Sequence, residues 1–498
     1  MNKYNFKKIS KFKQVLEPAE KQRIPIVFHV SNELMPDDAT IEQLIEVASD
    51  LNVTEHIAAL TDVSAKPGRR NAAGTVVATK NHYIPQLLDT APNCGMRLIA
   101  TNFNEKNLSP EKIDSLFKAL VKAIPTKKLW GNYIPFRVVL DICCRGSKAL
   151  LEYLKEDTSE IENTHSQGNM FEHENTTKKA LFSALPSWFY RFGQFRLGIL
   201  GAAGNHFVDL MKVEEILDEK LAEKFNLKKD QYVFWIHTGS GLFGQYASYF
   251  YTPKIKEHKS QRRIWNLGRW TFLRKNVPWH EILRKDIPAY RDKKELFAIS
   301  ADSELGKNYM IAHNAAGNMG FANRVMIQHN LKKTIEKVIG KNHGLNLVYD
   351  MSHIYVKREN HFNKDLLIHR QNTTRAFGPK RMKGTKFEQT GEPIFMPSSM
   401  STAAYFGVGT DENESTFFSC AHGTGKSKNK TSEVPKDKKA LFEKMNQRGV
   451  KLYNAKSDGV IDQDAAHYKD PEVAIEGLKE NKIMKPVAKM RPVAVLMY

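Results

Sequence analysis

The stretch FFSCAHGTGK at residues 417–426 joins an apolar run to a glycine-rich loop, and His422 stands where the two meet. The apolar run predicts a buried strand. The alternating glycines allow backbone N–H groups to approach an anion closely, since no side chain holds the backbone away. A histidine beside such a loop can act as a nucleophile, an acid/base group or a metal ligand. Three lysines follow it: Lys426, Lys428 and Lys430.

The sequence GTGKS at residues 423–427 also resembles the end of a P-loop, the phosphate-binding motif of many NTPases. That motif requires a further glycine five residues before the one that precedes the lysine, and position 420 is cysteine. A P-loop NTPase is therefore the weaker interpretation. Taken alone, the stretch favours a loop with a purely structural histidine. A functional role for His422 therefore depends on motifs elsewhere in the chain.

The composition of the 498-residue chain, with 41% hydrophobic and 26% charged residues, is typical of a soluble globular protein. No uncharged apolar run reaches about 18 residues, so the sequence predicts no membrane span. Four cysteines are too few for a disulfide scaffold, and we expect reduced thiols in a cytoplasmic protein. The net charge of +20 favours a polyanionic partner; a basic surface that serves only solubility is the alternative.

Apolar spacing predicts helices at residues 39–51, 109–124 and 308–338. Strand-like runs occur at residues 56–60, 96–101, 136–141, 232–236, 345–349 and 366–368. Because strands and helices do not alternate regularly, we expect a mixed α/β (α+β) fold and not a doubly wound parallel sheet. Residues 155–179 are polar, and they predict a long loop or an insertion.

Residues 254–275 interleave basic and aromatic side chains. The bases of a single-stranded nucleic acid can stack on aromatic rings while its phosphates pair with cations. An amphipathic surface helix or loop explains the pattern equally well. The residues concerned are Lys254, Lys256, Lys259, Arg262, Arg263, Trp265, Arg269, Trp270, Phe272 and Arg274.

Four possible metal ligands lie beside strand-like runs, and three of them have glycine or serine as neighbours: Cys94, His206, His237 and His353. One thiolate and three imidazoles can bind a transition metal, and on softness alone they favour zinc. The close spacings of zinc fingers are missing, so each histidine taken singly is better explained as structural. If the interpretation as a metal site is correct, the four residues and His422 converge in one pocket.

Considered together, the motifs resemble the RtcB family of GTP-dependent RNA ligases, which join a 2′,3′-cyclic phosphate or 3′-phosphate end to a 5′-hydroxyl end. The matches follow the family order from about residue 56 to the C-terminus. They are NCGMRL at 93–98, GNHF at 204–207, HTGS at 237–240, DMSH at 350–353, HR at 369–370, TRAF at 374–377, SM at 399–400, SCAHGTG at 419–425 and RPVAV at 491–495.

The resemblance implies a single catalytic domain over residues 1–498, with central β-sheets flanked by helices. It implies that His422 attacks the α-phosphate of GTP and becomes guanylylated. It also implies that a manganese pair, and not zinc, is bound by Cys94, His206, His237 and His353. The positions matching nucleotide contacts are Asn205, Phe207, Asp209, Ser399, Met400, Gly423, Thr424, Gly425 and Tyr468.

The implied partners are GTP and RNA with 3′-phosphate or cyclic phosphate and 5′-hydroxyl ends, such as tRNA halves or damaged RNA. An archease-type activator is a further implied partner. A second interpretation remains open at this point, because the chain departs from the family pattern. A catalytically impaired relative that only binds RNA ends or GTP would show such departures.

The departures concern charged and polar positions of the family site. A family aspartate that binds the second metal is Ala91 here, with Asp89 two residues earlier. The family lysine next to the C-terminus is Met497, and Asp209 stands where the family has glutamate. The remaining departures are Ser64 for histidine, Gly241 for arginine, Gln371 for lysine and Ala404 for serine.

Overall fold

Two large β-sheets, with helices packed around them, form the part of the chain that the computed structural model describes. That part comprises residues 4–66, 68–126, 128–172, 176–201, 205–253, 263–278, 295–427, 433–455 and 458–497, without the side chains of residues 263–265 and 458. The mixed α/β class expected from the sequence is confirmed. Residues singled out in the sequence that lie outside the described part are Gly204, residues 254–262, Lys428 and Lys430.

The strands are, in chain order, β1 (Phe6–Ser10), β2 (Lys13–Leu16), β3 (Ile26–Phe28), β4 (Val53–Ser64), β5 (Ala73–Thr79), β6 (His82–Tyr83), β7 (Gly95–Asn104), β8 (Phe207–Ile216), β9 (Gln231–Thr238), β10 (Ile299–Ser300), β11 (Asn346–Ser352), β12 (Ile354–His361), β13 (Lys364–Gln371), β14 (Thr373–Arg375), β15 (Pro393–Met396), β16 (Ala404–Gly409), β17 (Ser419–Ala421), β18 (Lys451–Tyr453) and β19 (Met484–Met497).

The helices are α1 (Asp38–Ala48), α2 (Pro110–Ala123), α3 (Phe136–Arg145), α4 (Ser147–Leu154), α5 (Lys178–Ala184), α6 (Ser187–Phe192), α7 (Glu219–Lys224), α8 (Gly241–Tyr249), α9 (Arg263–Asn276), α10 (Glu304–Val338), α11 (Lys438–Gln447) and α12 (Pro471–Glu480). No helix in this part of the chain has the length and apolarity needed to cross a membrane.

The first sheet has the strand order β1-β2-β3-β4-β5-β13-β12, and the second has the order β11-β7-β9-β8-β19-β16-β15, with β18 beside β19. Neighbouring strands are antiparallel except in the pairs β3–β4 and β18–β19. Two short sheets join β6 to β10 and β14 to β17. The consecutive strands β11 and β12 belong to different large sheets, so the residue between them, His353, lies where the two sheets meet.

The long helix α10 confirms the helix predicted over residues 308–338 and supports the loop that carries Cys94. Its N-terminus is capped by the Ser303 hydroxyl, which accepts from the Gly306 N–H at 3.0 Å. Small residues let it approach closely: a Cβ at Gly320 would lie 2.6 Å from the Asn93 carbonyl oxygen. From the same helix, the buried Arg324 guanidinium donates to that carbonyl at 3.1 Å and to Asp350 at 2.7 Å. Helix α10 therefore fixes the residue that precedes Cys94.

The strand predicted over residues 136–141 is wrong, because these residues form the start of α3. Pro135 precedes the helix, where its fixed φ is compatible with a helix start. The buried residues Val139, Leu140, Ile142 and Cys143 follow helical spacing once the window is extended beyond residue 141. Val138 and Val139 have a high strand propensity, but packing of this segment against the other helices outweighs it.

The stretch predicted to be a long polar loop or an insertion, and the basic-aromatic stretch, are both partly helical in the described residues. Residues 155–179 contain two short 3-10 helices, Thr158–Asn163 and His165–Gly168, before α5 begins. Of the basic-aromatic stretch, the structure describes α9. There Arg269 is fully buried and donates to the Thr252 carbonyl at 2.9 Å, so this cation belongs to the core and not to a nucleic-acid surface.

Candidate active site

The four predicted metal ligands lie at one end of the second sheet. Cys94 directly precedes β7, His206 directly precedes β8, His237 is near the end of β9 and His353 directly follows β11. These four strands are neighbours in the order β11-β7-β9-β8 and each adjacent pair is antiparallel. Antiparallel pairing places two strand starts and two strand ends at the same end of the sheet, so residues far apart in sequence meet there.

The side-chain atoms of this cluster face one another at the spacing of metal ligands. The Cys94 Sγ lies 3.2 Å from His206 Nε2 and 3.5 Å from His237 Nε2. The Nε2 atoms of His237 and His353 are 3.4 Å apart. Metal–ligand bonds of about 2.0–2.3 Å in a tetrahedral site place neighbouring ligand atoms about 3.3–3.8 Å apart. The spacing therefore suits a metal ion bound between these atoms.

The hydrogen bonds of His237 show that its lone pair faces the cluster. Its Nδ1 lies 2.8 Å from the carbonyl oxygen of Asn205, and since a carbonyl only accepts, Nδ1 carries the proton. The Nε2 lone pair then points towards Cys94 and His353. Electron pairs that face one another in a buried site are stabilised when a cation lies between them, so the donor set fits a metal ion.

Burial determines the protonation of the cluster. It raises the pKa of the Cys94 thiol to about 12, an effect that Arg324 and Lys66 oppose. Burial also lowers the pKa of His206 to about 4 and, with neighbouring histidines contributing, lowers the pKa of His237 and of His353 well below the usual value. The imidazoles are therefore neutral and able to bind a metal. Because the thiolate is the binding form of cysteine, metal binding releases its proton.

His422 follows β17 and lies against this cluster. Its ring centroid is 4.5 Å from that of His353 and 6.4 Å from that of His237. The His422 Nδ1 donates to the buried Asp62 carboxylate at 2.6 Å. A carboxylate that accepts from Nδ1–H leaves the lone pair on Nε2 and fixes the orientation of the ring. His422 is thus oriented as a nucleophile or a base.

A cleft of about 320 Å³ opens beside His237 and His422. Every residue matched to a nucleotide contact lines it: Asn205, Phe207, Asp209, Ser399, Met400, Gly423, Thr424, Gly425 and Tyr468. Cys94, His206 and His353 do not line the cleft and lie behind His237. The structure therefore brings the predicted ligand cluster, the predicted nucleophile and the predicted nucleotide positions into one region.

Asp209 is a buried acid of the cleft, as is Asp62. Burial raises the pKa of Asp209 well above the usual carboxyl value, and its Oδ1 has no hydrogen-bond partner in the described part of the chain. A buried carboxyl oxygen without a donor is costly unless a ligand supplies one. This side chain therefore suits a ligand with N–H donors.

The loop after His422 packs tightly against the strand that carries Asp62. Gly425 has a φ of +79°, and a Cβ there would lie 2.5 Å from the Asp62 Cα. The Thr424 hydroxyl is 3.1 Å from the Ser398 hydroxyl, which ties the loop to the segment preceding β16. A side chain at Gly425 would therefore separate this loop from β4 and displace Asp62 from His422.

We expect Gly425→Ala to lower the free energy of unfolding by about 3 kcal/mol, because strain at positive φ is added to a backbone collision. Gly449→Ala is a matched control, since Gly449 has a φ of +71° but nothing within 4 Å of its added Cβ. The control is expected to cost about 1 kcal/mol. Urea denaturation of both variants measures the difference, and equal losses would contradict the tight packing at Gly425.

Sequence reasoning missed several residues of the cleft. Asp62 was not among the predicted site residues; β4 continues beyond the strand-like run at residues 56–60 to Ser64 and holds Asp62 beside His422. The signal that could have found it is its position two residues before Ser64, one of the departures from the family pattern. Lys66 comes from the next loop, where nothing in the local pattern marks it. The other unpredicted lining residues include Asn372, Pro397, Ser398 and Gln463.

The departures from the family pattern fall into two groups. Ser64, Ala404 and Met497 line the cleft, so these substitutions change the surface that a ligand meets. Asp89, the carboxylate nearest in sequence to Ala91, is paired with Lys66 and with Arg69, whose Nε lies 3.2 Å away. Asp89 thus forms ion pairs with two cations.

A histidine oriented by a carboxylate lies against a thiol–imidazole cluster and beside a glycine-rich loop. This arrangement is suited to metal-assisted phosphoryl transfer. The chain matches the family described as tRNA-splicing ligase RtcB over residues 43–497, and it belongs to this RtcB family of RNA ligases.

Individual relatives match over nearly the whole chain. The chain is 28% identical to the tRNA-splicing ligase RtcB of Nanoarchaeum equitans, with 98% of each protein covered. It is 27% identical to that of Pyrobaculum aerophilum, with 95% of each covered, and 27% identical to that of Thermococcus kodakarensis, with 98% of each covered. Such identity over the full length marks a divergent member of the family.

Proposed function

We propose that this protein is a cytoplasmic RNA ligase in which residues 1–498 act as one catalytic domain. It joins RNA with a 3′-phosphate or 2′,3′-cyclic phosphate to RNA with a 5′-hydroxyl, using GTP and a GMP–His422 intermediate. The observation that carries the proposal is the Asp62–His422 pair, which holds an imidazole lone pair at the junction of the ligand cluster and the cleft. The RNA consists of tRNA halves or damaged strands, and an archease-type protein assists turnover.

In the first step, His422 Nε2 attacks the α-phosphorus of GTP. A P–N bond forms, the bond from the α-phosphorus to the β-phosphate bridging oxygen breaks, and pyrophosphate leaves. Asp62 keeps the proton on Nδ1 and stabilises the positive ring that develops. Cys94, His206, His237 and His353 would hold Mn²⁺, which supplies Lewis-acid stabilisation of the phosphoryl charge.

The residues that line the cleft support guanosine binding. The unpaired Asp209 oxygen accepts from the N–H groups of guanine, and Tyr468 supplies an aromatic wall. Ser399, with Gly423, Thr424 and Gly425, presents hydroxyl and backbone groups to the phosphates. The remaining predicted contacts are Asn205, Phe207 and Met400.

In the second step, an oxygen of the RNA 3′-phosphate attacks the phosphorus of GMP–His422, and the P–N bond breaks. The RNA end is then activated as a phosphoanhydride with GMP as the leaving group. In the third step the 5′-hydroxyl attacks the terminal RNA phosphorus, a phosphodiester forms and GMP departs. A 2′,3′-cyclic phosphate must first add water to give the 3′-phosphate.

Lys426 makes GTP binding dependent on pH. Its Nζ lies 4.1 Å from the centre of the Tyr468 ring, and burial lowers the pKa of this lysine to about 8. Lys426 is charged below that pH and neutral above it. We therefore expect GTP affinity to fall about tenfold as pH rises through 8, because the cleft loses a positive charge that attracts the anionic nucleotide.

Isothermal titration of GTP between pH 7 and pH 9.5 measures this dependence. Lys426→Met is expected to weaken binding at low pH and to flatten the profile. Lys364→Met, at an exposed lysine paired with Glu55, is the control that keeps the wild-type profile. An unchanged pH profile in Lys426→Met would show that Lys426 does not contact the ligand.

A ligation assay tests the proposed function. The purified protein, Mn²⁺ and GTP are incubated with RNA pairs that carry either 3′-phosphate and 5′-hydroxyl ends or 3′-hydroxyl and 5′-phosphate ends. Joining of the first pair alone is expected. Binding of RNA or GTP without joining, also in the presence of an archease-type protein, would favour the impaired relative instead.

A further inference from the structure

One wall of the cleft carries a lysine held in place by two acceptors. The Lys66 Nζ pairs with the Asp89 carboxylate and donates to the Asn372 Oδ1 at 2.7 Å. The Asp89 N–H in turn donates to the Gln371 Oε1 at 2.6 Å. Three separate segments of the chain, before β5, before β7 and after β13, therefore fix one ammonium group.

This wall has an excess of positive charge. Asp89 is shared by Lys66 and Arg69, so one carboxylate faces two cations. Burial alone would raise the pKa of Asp89, but the two cations outweigh burial and hold it well below the usual carboxyl range. Because the carboxylate stays ionised and balances only one cation, the wall attracts an anion.

Lys66 and Arg69 differ in their access to the cleft. Lys66 lines it and so does its acceptor Asn372, whereas Arg69 does not. An ammonium has three N–H donors. Among the residues that the structure describes, Asp89 and Asn372 use two of them, so one is left for a ligand.

Two departures from the family pattern lie next to Asp89, the carboxylate that pairs with this lysine. Ala91 provides no carboxylate at the position where the family pattern has a metal-binding aspartate, and Gln371 replaces a family lysine and contacts the backbone of Asp89. Within the described residues, one group of three side chains has ligand atoms close enough to share an ion. It consists of Cys94, His206 and His237 and contains no carboxylate. This group therefore offers no carboxylate ligand for a second ion, and the Lys66 ammonium supplies a fixed positive charge in the neighbouring cleft.

We propose that Lys66 is the second cation of this site: its ammonium binds a phosphoryl group in the cleft, and the loaded protein holds one divalent ion per chain. A compact ammonium on a fixed stem places a positive charge beside phosphate oxygens without needing carboxylate ligands. The role assigned to the phosphoryl group rests on the proposed function. The phosphoryl group comes either from GTP or from the 3′ end of RNA.

The number of bound ions gives the first test. The full-length protein is equilibrated with Mn²⁺ with and without a non-hydrolysable GTP analogue, freed of excess ion, and analysed for metal and protein. One Mn²⁺ per chain is expected in both cases. Two ions per chain with the analogue bound would overturn the proposal.

Phosphate affinity gives the second test. Lys66→Met is expected to weaken binding of its phosphoryl ligand about tenfold to a hundredfold, as for loss of a hydrogen bond from a charged group. Lys66→Arg keeps part of the affinity, and Arg69→Met, which removes the other partner of Asp89, keeps nearly all of it. The metal content of Lys66→Met stays at one ion, and its melting temperature shows whether it is folded.

Two probes separate the sources of the phosphoryl group. A loss confined to GTP assigns Lys66 to the triphosphate, and a loss confined to an oligonucleotide with a 3′-phosphate, compared with the 3′-hydroxyl form, assigns it to the RNA end. Unchanged affinity for both would overturn the proposal. Neither test needs turnover. If the protein ligates RNA but binds two ions, only the proposed role of Lys66 is refuted. If the protein never forms the GMP adduct, only the proposed ligase function is refuted.

Discussion

Replacing Cys94 by alanine is expected to remove the bound metal ion and to abolish ligation. The Sγ of this residue lies within 3.5 Å of two imidazole nitrogens and forms the centre of the ligand cluster. Loss of residues that merely orient metal ligands costs about 10–100-fold in affinity, and loss of the central thiolate is expected to cost at least about 100-fold. Metal analysis after gel filtration, together with the ligation assay, measures the two effects.

Cys143→Ala is the matched control for this experiment. Cys143 is also fully buried, but it packs in the helical core within α3. The control removes the same atom from a buried cysteine, so it reports what loss of packing alone does to folding and activity. It is expected to keep its metal and its activity. A Cys94→Ala protein with wild-type metal content would contradict the assignment of the cluster.

Replacing Asp62 by asparagine is expected to slow formation of the GMP adduct on His422 by about 10³-fold or more. The amide has nearly the same shape, but its NH₂ group can donate to Nδ1 and thereby favour the tautomer with the proton on Nε2. That tautomer has no lone pair for the attack. The same exchange in the serine protease triad costs about 10⁴-fold for the same reason.

Single-turnover labelling with GTP measures this rate directly. Asp114→Asn serves as the control, because Asp114 lies on α2 and pairs with Lys118 at 2.7 Å, away from the cleft. It is expected to label at the wild-type rate. Labelling of Asp62→Asn at the rate of the control would show that His422 does not depend on the carboxylate.

Much of the fold follows from local pattern. The helix over residues 308–338 was predicted because a long run of helical spacing leaves little ambiguity. The strand over residues 232–236 was predicted because five consecutive apolar residues are typical of a buried strand. The helix α3 was missed because a six-residue window with two valines fits either period. Its Pro135 start and its Gly146 end, where φ is +67°, lie outside that window.

The sequence indicated the ligand-type residues and their convergence, but not the strand order that brings them together or the side chains that orient them. Cys94, His206, His237 and His353 carry a local signal, namely a ligand-type side chain beside a strand. These four residues lie at the same end of the second sheet because of the strand order β11-β7-β9-β8, which no local pattern encodes. Asp62 and Lys66 gain their roles only from residues that tertiary folding brings beside them, so sequence spacing could not reveal them.

The central claim is that His422 is the nucleophile that accepts GMP. Its most direct test is peptide mass spectrometry of the protein after incubation with GTP and Mn²⁺. We expect an acid-labile GMP phosphoramidate on the peptide that contains His422, and its loss in a folded His422→Asn protein. A GMP adduct on another residue, or no adduct in wild-type protein that retains its metal, would contradict the claim.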